Sequence, residues 1–171
     1  MKNHGGTIRI YSEPGHGSTF SIYLPVYEPV HEAEDVLSRG VAGLPMGHGR
    51  ILIVDDEEVI LHLVSAMLRQ QGYEVVTCRS SVEAIALYRA EWGRIDLVIL
   101  DMVMPVLGGR EVFLAMREIN PKIKAVLSSG FSVDGEAHGI LELGVRAFVQ
   151  KPFRMADLTR TVAEVLRNDE G

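Results

Sequence analysis

Four short apolar runs, Ile51-Leu52-Ile53-Val54, Leu97-Val98-Ile99-Leu100, Ala125-Val126-Leu127 and Ala147-Phe148-Val149, carry no polar residue at alternate positions. A strand with one face in water alternates, so a run of this kind belongs to a strand covered on both faces, as in a parallel sheet flanked by helices. The four runs lead into Asp55-Asp56, Asp101, Ser129 and Lys151-Pro152, respectively. In such a sheet the carboxyl ends of the strands are where ligands bind. Three carboxylates, a hydroxyl and an ammonium are therefore expected to share one pocket.

The segments between the runs fit this architecture. Residues 50–168 alternate strand and helix through short connections, the pattern of a doubly wound α/β domain. Val59, Ile60, Leu63, Val64, Met67 and Leu68 recur at helical spacing, and Gly72 is placed to end that first helix. Tyr73 to Thr77 reads as a second strand, and Ser80 with Glu83 forms a capping box that opens a helix running to about Trp92. After Asp101, a Met-Pro-Val-Leu-Gly-Gly loop leads into a third helix, Arg110 to Ile119, which Asn120-Pro121 stops. The fourth strand is expected over Lys122 to Ser128. The segment Val133 to Leu143 holds Gly135 and Gly139, each costing a helix about 1 kcal/mol against alanine, and is expected to be the least secure helix. In the last helix Met155, Leu158, Val162 and Val165 recur on one side.

Residues 1–25 obey a different rule. Ile8 and Ile10, then Phe20, Ile22 and Leu24, alternate with polar residues on either side of Glu13-Pro14-Gly15-His16-Gly17, which predicts a β-hairpin. A lone hairpin is marginal in water. It is expected to pack on the α/β domain, to pair with another chain, or to be a remnant of a larger fold. Residues 26–49, with the acidic cluster Glu32-Ala33-Glu34-Asp35 among prolines and glycines, read as a linker.

Charge and cysteine use narrow the function classes. A formal net charge of −6 without a clustered basic stripe argues against a nucleic-acid surface. The single cysteine, Cys78, excludes an intrachain disulfide and fits a reducing, cytoplasmic compartment. Nothing approaches the ~20 apolar residues of a membrane span, and no basic-then-apolar leader opens the chain.

Adjacent carboxylates at a strand end push one another toward protonation unless a cation pairs with them. Asp55, Asp56 and Asp101 are hard oxygen ligands with no Cys or His among them, which points to Mg2+ rather than zinc. Asp55-Asp56 would also serve as an ordinary helix cap, with Glu57-Glu58 favouring the positive end of the helix. In the pocket reading, Asp101 is the candidate nucleophile toward an activated phosphoryl group, held afterwards as an acyl phosphate. Lys151 would neutralise phosphoryl oxygens and the Ser129 hydroxyl would donate to one of them.

The string ILIVDDEE, the loop DMVMPVLGG, the segment VLSSGF and the ending AFVQKPF together resemble the receiver domain of two-component response regulators over about 120 residues. The resemblance implies a flavodoxin-like, five-stranded parallel sheet of order 2-1-3-4-5. It implies phosphorylation at Asp101, Mg2+ held by Asp55, Asp56, Asp101 and the backbone carbonyl of Val103, a switch hydroxyl at Ser129, an essential Lys151 and a cis bond before Pro152. Phe148 matches an aromatic that swings inward on activation, and it serves equally well as a plain core residue. Serine stands at 129 where threonine is more usual.

The opening residues NHGGTIRIYSEPGHGSTFSIYLP resemble the last hairpin of the ATP-binding domain of sensor histidine kinases. The other motifs of that domain, and a phosphorylatable histidine site, do not occur in the sequence. Together the two resemblances imply the C-terminal part of a hybrid histidine kinase, with a hairpin remnant at 1–25, a linker at 26–49 and a receiver domain at 50–168. The implied partners are a histidine kinase or a histidine phosphotransfer protein. A homodimer through the hairpin, or through the face made by the fourth helix, fifth strand and fifth helix, is a further expectation. Two rivals remain at this point: a phosphohydrolase using Asp101 as nucleophile, and a binding module that works without phosphorylation.

Overall fold

The computed structural model describes residues 6–25, 46–130 and 143–167. The chain divides into two compact units, Met1–Arg39 and Gly40–Gly171.

In the first unit, β1 (Thr7–Glu13) and β2 (Gly17–Tyr23) pair antiparallel, with Ile8 opposite Ile22 and Ile10 opposite Phe20. Side chains alternate across a strand, so these four residues share one face. The other face is polar. There Arg9 stacks over the Tyr23 ring at 5.7 Å and the Tyr11 hydroxyl donates to Glu13 at 2.6 Å.

The second unit is built on β3 (Arg50–Val54), β4 (Glu74–Cys78), β5 (Leu97–Asp101), β6 (Ala125–Ser129) and β7 (Ala147–Gln150). They form one parallel sheet in the order β4-β3-β5-β6-β7, which is 2-1-3-4-5 within the unit. The connections supply α1 (Glu58–Gln70), α2 (Ser81–Glu91), α3 (Gly109–Ile119) and, after β7, α4 (Met155–Arg167). The segment expected as a further helix over 133–143 lies, all but Leu143, outside the described residues.

Alternation along each strand sends neighbouring side chains into two separate cores. Leu52, Leu100 and Leu127 pack with Tyr88 of α2 and with Val112, Phe113 and Met116 of α3. Ile53, Ile99 and Val126 pack with Val64 and Leu68 of α1 and with Val162 and Val165 of α4. Both faces are thus apolar, which is why the strands show no alternation in sequence.

Element boundaries shift only at their ends. Ser80 caps α2 by accepting the Glu83 N–H at 3.3 Å, and the helix passes into a single 3-10 turn at Trp92–Arg94. In α1 the buried stripe is Leu61, Val64, Ser65 and Leu68, whereas Val59 is 76% and Leu63 48% exposed. The expected stripe was therefore rotated. The helix opens on a nearly continuous apolar run, Val59-Ile60-Leu61, in which spacing alone does not single out one side.

Candidate functional site

The ladder brings the carboxyl ends of four strands level. Val54 lies opposite Leu100, Asp101 opposite Ser128, and Ser129 opposite Gln150. Asp55, Asp101, Ser129 and Lys151, more than 90 residues apart in the chain at their extremes, therefore emerge at one end of the sheet. β3 and β5 are the strands at which the winding order reverses, the position where crevices form in open α/β sheets.

Asp55 and Asp101 are both buried, and Asp56 is half-buried beside them. One carboxylate oxygen from each of the three lies within 4.8 Å of the others. Lys151 answers two of these charges: its Nζ lies 2.6 Å from Asp55 Oδ2 and 2.9 Å from Asp101 Oδ1. The Asp56 carboxylate pairs with no basic side chain among the described residues, while its backbone carbonyl accepts the Arg79 guanidinium at 3.5 Å. The second Asp55 oxygen accepts the Glu57 N–H at 2.9 Å, which locks the carboxylate at the turn into α1. Helix α1 itself begins after Glu57 with no side-chain cap, so Asp55 orders the approach to the helix while its other oxygen faces the cluster.

The electrostatics follow from this crowding. Burial pushes the Asp101 carboxyl above the usual carboxylate range; the Lys151 bond and charge and the Val103 backbone N–H pull the other way, and the Asp55 charge adds to the upward push. For Lys151 burial is the largest single influence and lowers its pKa, but the bonds and charges of Asp55 and Asp101 together outweigh it, and the ammonium is held above its ordinary value. One cation among three carboxylates leaves a net negative site of hard oxygen donors. That composition suits a divalent cation.

The loop after Asp101 is held by backbone. Met102 N–H donates to the Ser128 carbonyl at 2.8 Å, and Gly109 N–H returns to the Met102 carbonyl at 3.2 Å. A Cβ on Gly109 would stand 2.4 Å from the Asp101 carbonyl oxygen, so only glycine permits α3 to start this close to the end of β5. Within the loop, Val106 adopts φ 72, a left-handed conformation that is strained for a β-branched residue, and it is 85% exposed. The Ser81 hydroxyl, at the start of α2, donates to the Pro105 carbonyl at 3.2 Å and ties the loop to its neighbour.

The remaining residues singled out from sequence fall as follows. Ser129 is buried at the end of β6, and its carbonyl accepts the Lys151 N–H at 2.7 Å. The Lys151–Pro152 bond is cis. Phe148 is partly buried and packs against the core shared with Leu127. Val103 is exposed at the mouth of the site. The double pairing of Lys151, the Val103 N–H on Asp101 and the strain at Val106 carry no sequence signal of their own, because each depends on backbone placement rather than residue type.

Residues 51–163 match the family model of the response regulator receiver domain. Over 176 aligned positions, covering 99% of this chain and 19% of the relative, the sequence is 31% identical to the sensor kinase CckA of Brucella abortus. It is 39% identical over 119 residues to the transcriptional regulatory protein PrrA of Mycobacterium tuberculosis, covering 69% of this chain and 50% of that protein. The chain thus spans about a fifth to a half of the curated relatives it matches. Among solved structures, a response regulator receiver domain protein from Clostridium thermocellum superposes with a TM-score of 0.68 at 28% identity, covering 71% of this chain and 97% of that one. A CheY-like receiver domain protein from Methanospirillum hungatei gives 0.67 at 28% identity, covering 72% and 98%.

The chain belongs to the response regulator receiver domain family, and its doubly wound sheet and acidic pocket are those of a phosphoacceptor module in two-component signalling. Receiver domains of this kind work with histidine kinases or phosphotransfer proteins and bind divalent metal through acidic residues, for which the Asp55, Asp56 and Asp101 cluster is the matching feature. Among the described residues no helix is long and apolar enough to cross a membrane.

Proposed function

We propose that Asp101 is the phosphoacceptor and that residues 50–168 form the receiver end of a hybrid histidine kinase, joined by a linker at 26–49 to a hairpin remnant of its ATP-binding domain at 1–25. The observation that carries the first part is the bridging of Asp101 and Asp55 by one ammonium, beside a third carboxylate, at the reversal point of the sheet. A carboxylate oxygen of Asp101 attacks the phosphorus of a phosphohistidine; the P–O bond forms as the P–N bond breaks, and the imidazole keeps the electron pair and takes up a proton. Lys151 holds the carboxylate in place beforehand and offers its charge to the equatorial phosphoryl oxygens during transfer. Ser129 supplies a hydroxyl from the adjacent strand end, and Phe148 follows it as the switch aromatic.

Asp55, Asp56, Asp101 and the Val103 carbonyl are the groups that would hold Mg2+. The ion would supply charge neutralisation for the transferring phosphoryl group, the dominant need in this chemistry. Val59 and Leu63 on α1 and Val103 and Val106 on the loop after β5 are exposed apolar side chains, and they would offer apolar contact to a helix bearing the donor histidine. The hybrid-kinase origin is supported by alignment of nearly the whole chain, hairpin included, with a sensor kinase.

Incubation with a small phosphodonor such as acetyl phosphate and Mg2+, read by intact mass, tests the proposal. Wild type is expected to gain one phosphoryl group that chelation of the metal prevents, and Asp101→Asn none. Undiminished labelling of Asp101→Asn would sink the assignment. Fast steady-state release of phosphate would favour the phosphohydrolase instead, although Val103 at the mouth offers no acid or base to orient water.

A further inference from the structure

At the opposite end of the same sheet, below the amino-terminal ends of β5 and β6, lies a cavity of about 500 Å³. The five-residue strands put it roughly 16 Å from the acids. Its volume falls in the range of small-molecule sites, about 300–1,000 Å³. Its lining is of two kinds. Tyr73, Tyr88, Leu97 and Leu166 supply flat and branched apolar surface, and His48, Lys122, Lys124 and Arg167 supply basic groups.

The only carboxylate in the lining, Asp96, is engaged, because one of its oxygens accepts the Arg50 N–H at 2.7 Å. Asn120 is likewise held: its Nδ2 donates to the Tyr88 hydroxyl at 3.3 Å and its Oδ1 accepts the Lys122 N–H at 3.0 Å. Lys124 donates to the Leu166 carbonyl at 3.0 Å, which fixes that ammonium at the cavity wall. Burial pushes the Tyr73 phenol up, while the charge of nearby Arg167 pulls it down. Among the side chains that line the cavity Lys122, Lys124 and Arg167 outnumber the single carboxylate, Asp96, in a chain whose formal net charge is −6.

One wall is built by an exact backbone fit. Gly47 donates its N–H to the Gln71 carbonyl at 2.7 Å, and a Cβ on Gly47 would stand 2.0 Å from the Tyr73 ring. Only glycine lets the backbone lie flat on that ring. The 46–49 segment is thus part of the cavity rather than a free connection.

We infer that this cavity binds a small organic anion with a flat apolar body, an aromatic carboxylate in chemical class. The aromatic and aliphatic lining takes the body, and the ring of lysines and Arg167 takes the charge. Neither the phosphoacceptor chemistry nor the receiver assignment requires such a site.

The test is a titration of the full chain with naphthoate, followed by amide chemical shifts, with neutral naphthamide as the matched control. One saturable set of shifts is expected at residues 46–49, Tyr73 and 120–124, with naphthamide binding at least tenfold more weakly. The exposed charges allow Lys122→Glu with Arg167→Glu to be combined, and this variant is expected to lose tenfold or more in naphthoate affinity. Ala163→Leu, which adds volume to the lining, is expected to block both compounds. The inference is overturned if no saturable shifts occur, if they fall on the hairpin instead, if naphthamide binds as well as naphthoate, or if the charge-reversed variant binds like wild type.

Discussion

In the five-stranded sheet Ile51, Leu52 and Leu100 are fully buried, whereas in the hairpin Ile10 and Phe20, paired across two strands, are each 65% exposed. The residues are of one kind and the strands of similar length; what differs is cover. Helices on both faces of the parallel sheet bury every residue of its central strands β5 and β6, while the two paired strands of the hairpin by themselves leave Ile8, Ile10, Phe20 and Ile22 exposed among the described residues. Sequence pattern recorded this difference faithfully. Alternation marked the strands with one apolar face and its absence marked the central strands apolar on both, so the hairpin's exposed apolar face is the part of the described residues that asks for further structure, in line with its proposed origin in a larger domain.

Four substitutions probe that contrast, from strong to weak. Leu100→Ala, which empties a fully buried position, is expected to cost about 3 kcal/mol in denaturant unfolding of the receiver unit. A loss under a third of that would mean the two-sided core is looser than described. Gly109→Ala drives a Cβ into the Asp101 carbonyl and is expected to cost about 2 kcal/mol. It should also slow the proposed phosphoryl acquisition, since the end of β5 must shift; an unaffected rate would separate the loop from the site.

Val106→Gly relieves a left-handed valine and is expected to raise stability by about 1 kcal/mol. Destabilisation would show that the exposed valine makes contacts that outweigh its strain. Phe20→Ser, on the uncovered hairpin face, is expected to leave the same unfolding transition within about 0.5 kcal/mol of wild type. A larger change would mean that the hairpin and the parallel sheet unfold as one body.

The fold was legible because strand runs and chemical residues are adjacent in sequence. Asp55, Asp101, Ser129 and Lys151 each follow a buried run closely, so placing the runs in one sheet placed the residues together. The buried side of α1 was not legible in the same way, since Val59-Ile60-Leu61 offers three apolar choices and tertiary contact with the sheet selects Leu61. The left-handed Val106 was hidden for another reason: valine is a residue that pattern reasoning never assigns to such a conformation. The basic cavity was hidden too, because its lysines, Tyr73 and Arg167 come from separate connections and the terminal helix, and no local spacing unites them.

In the proposed function three acids would close on one ion beside the Asp101 side chain that would carry phosphate. A crystal structure with Mg2+ and beryllofluoride is the most direct measurement. The expected result is density joining the fluoride adduct to a carboxylate oxygen of Asp101, with the metal bound by Asp55, Asp56 and the Val103 carbonyl and with Lys151 turned to the adduct. Metal bound elsewhere, or an adduct on any other side chain, would contradict it.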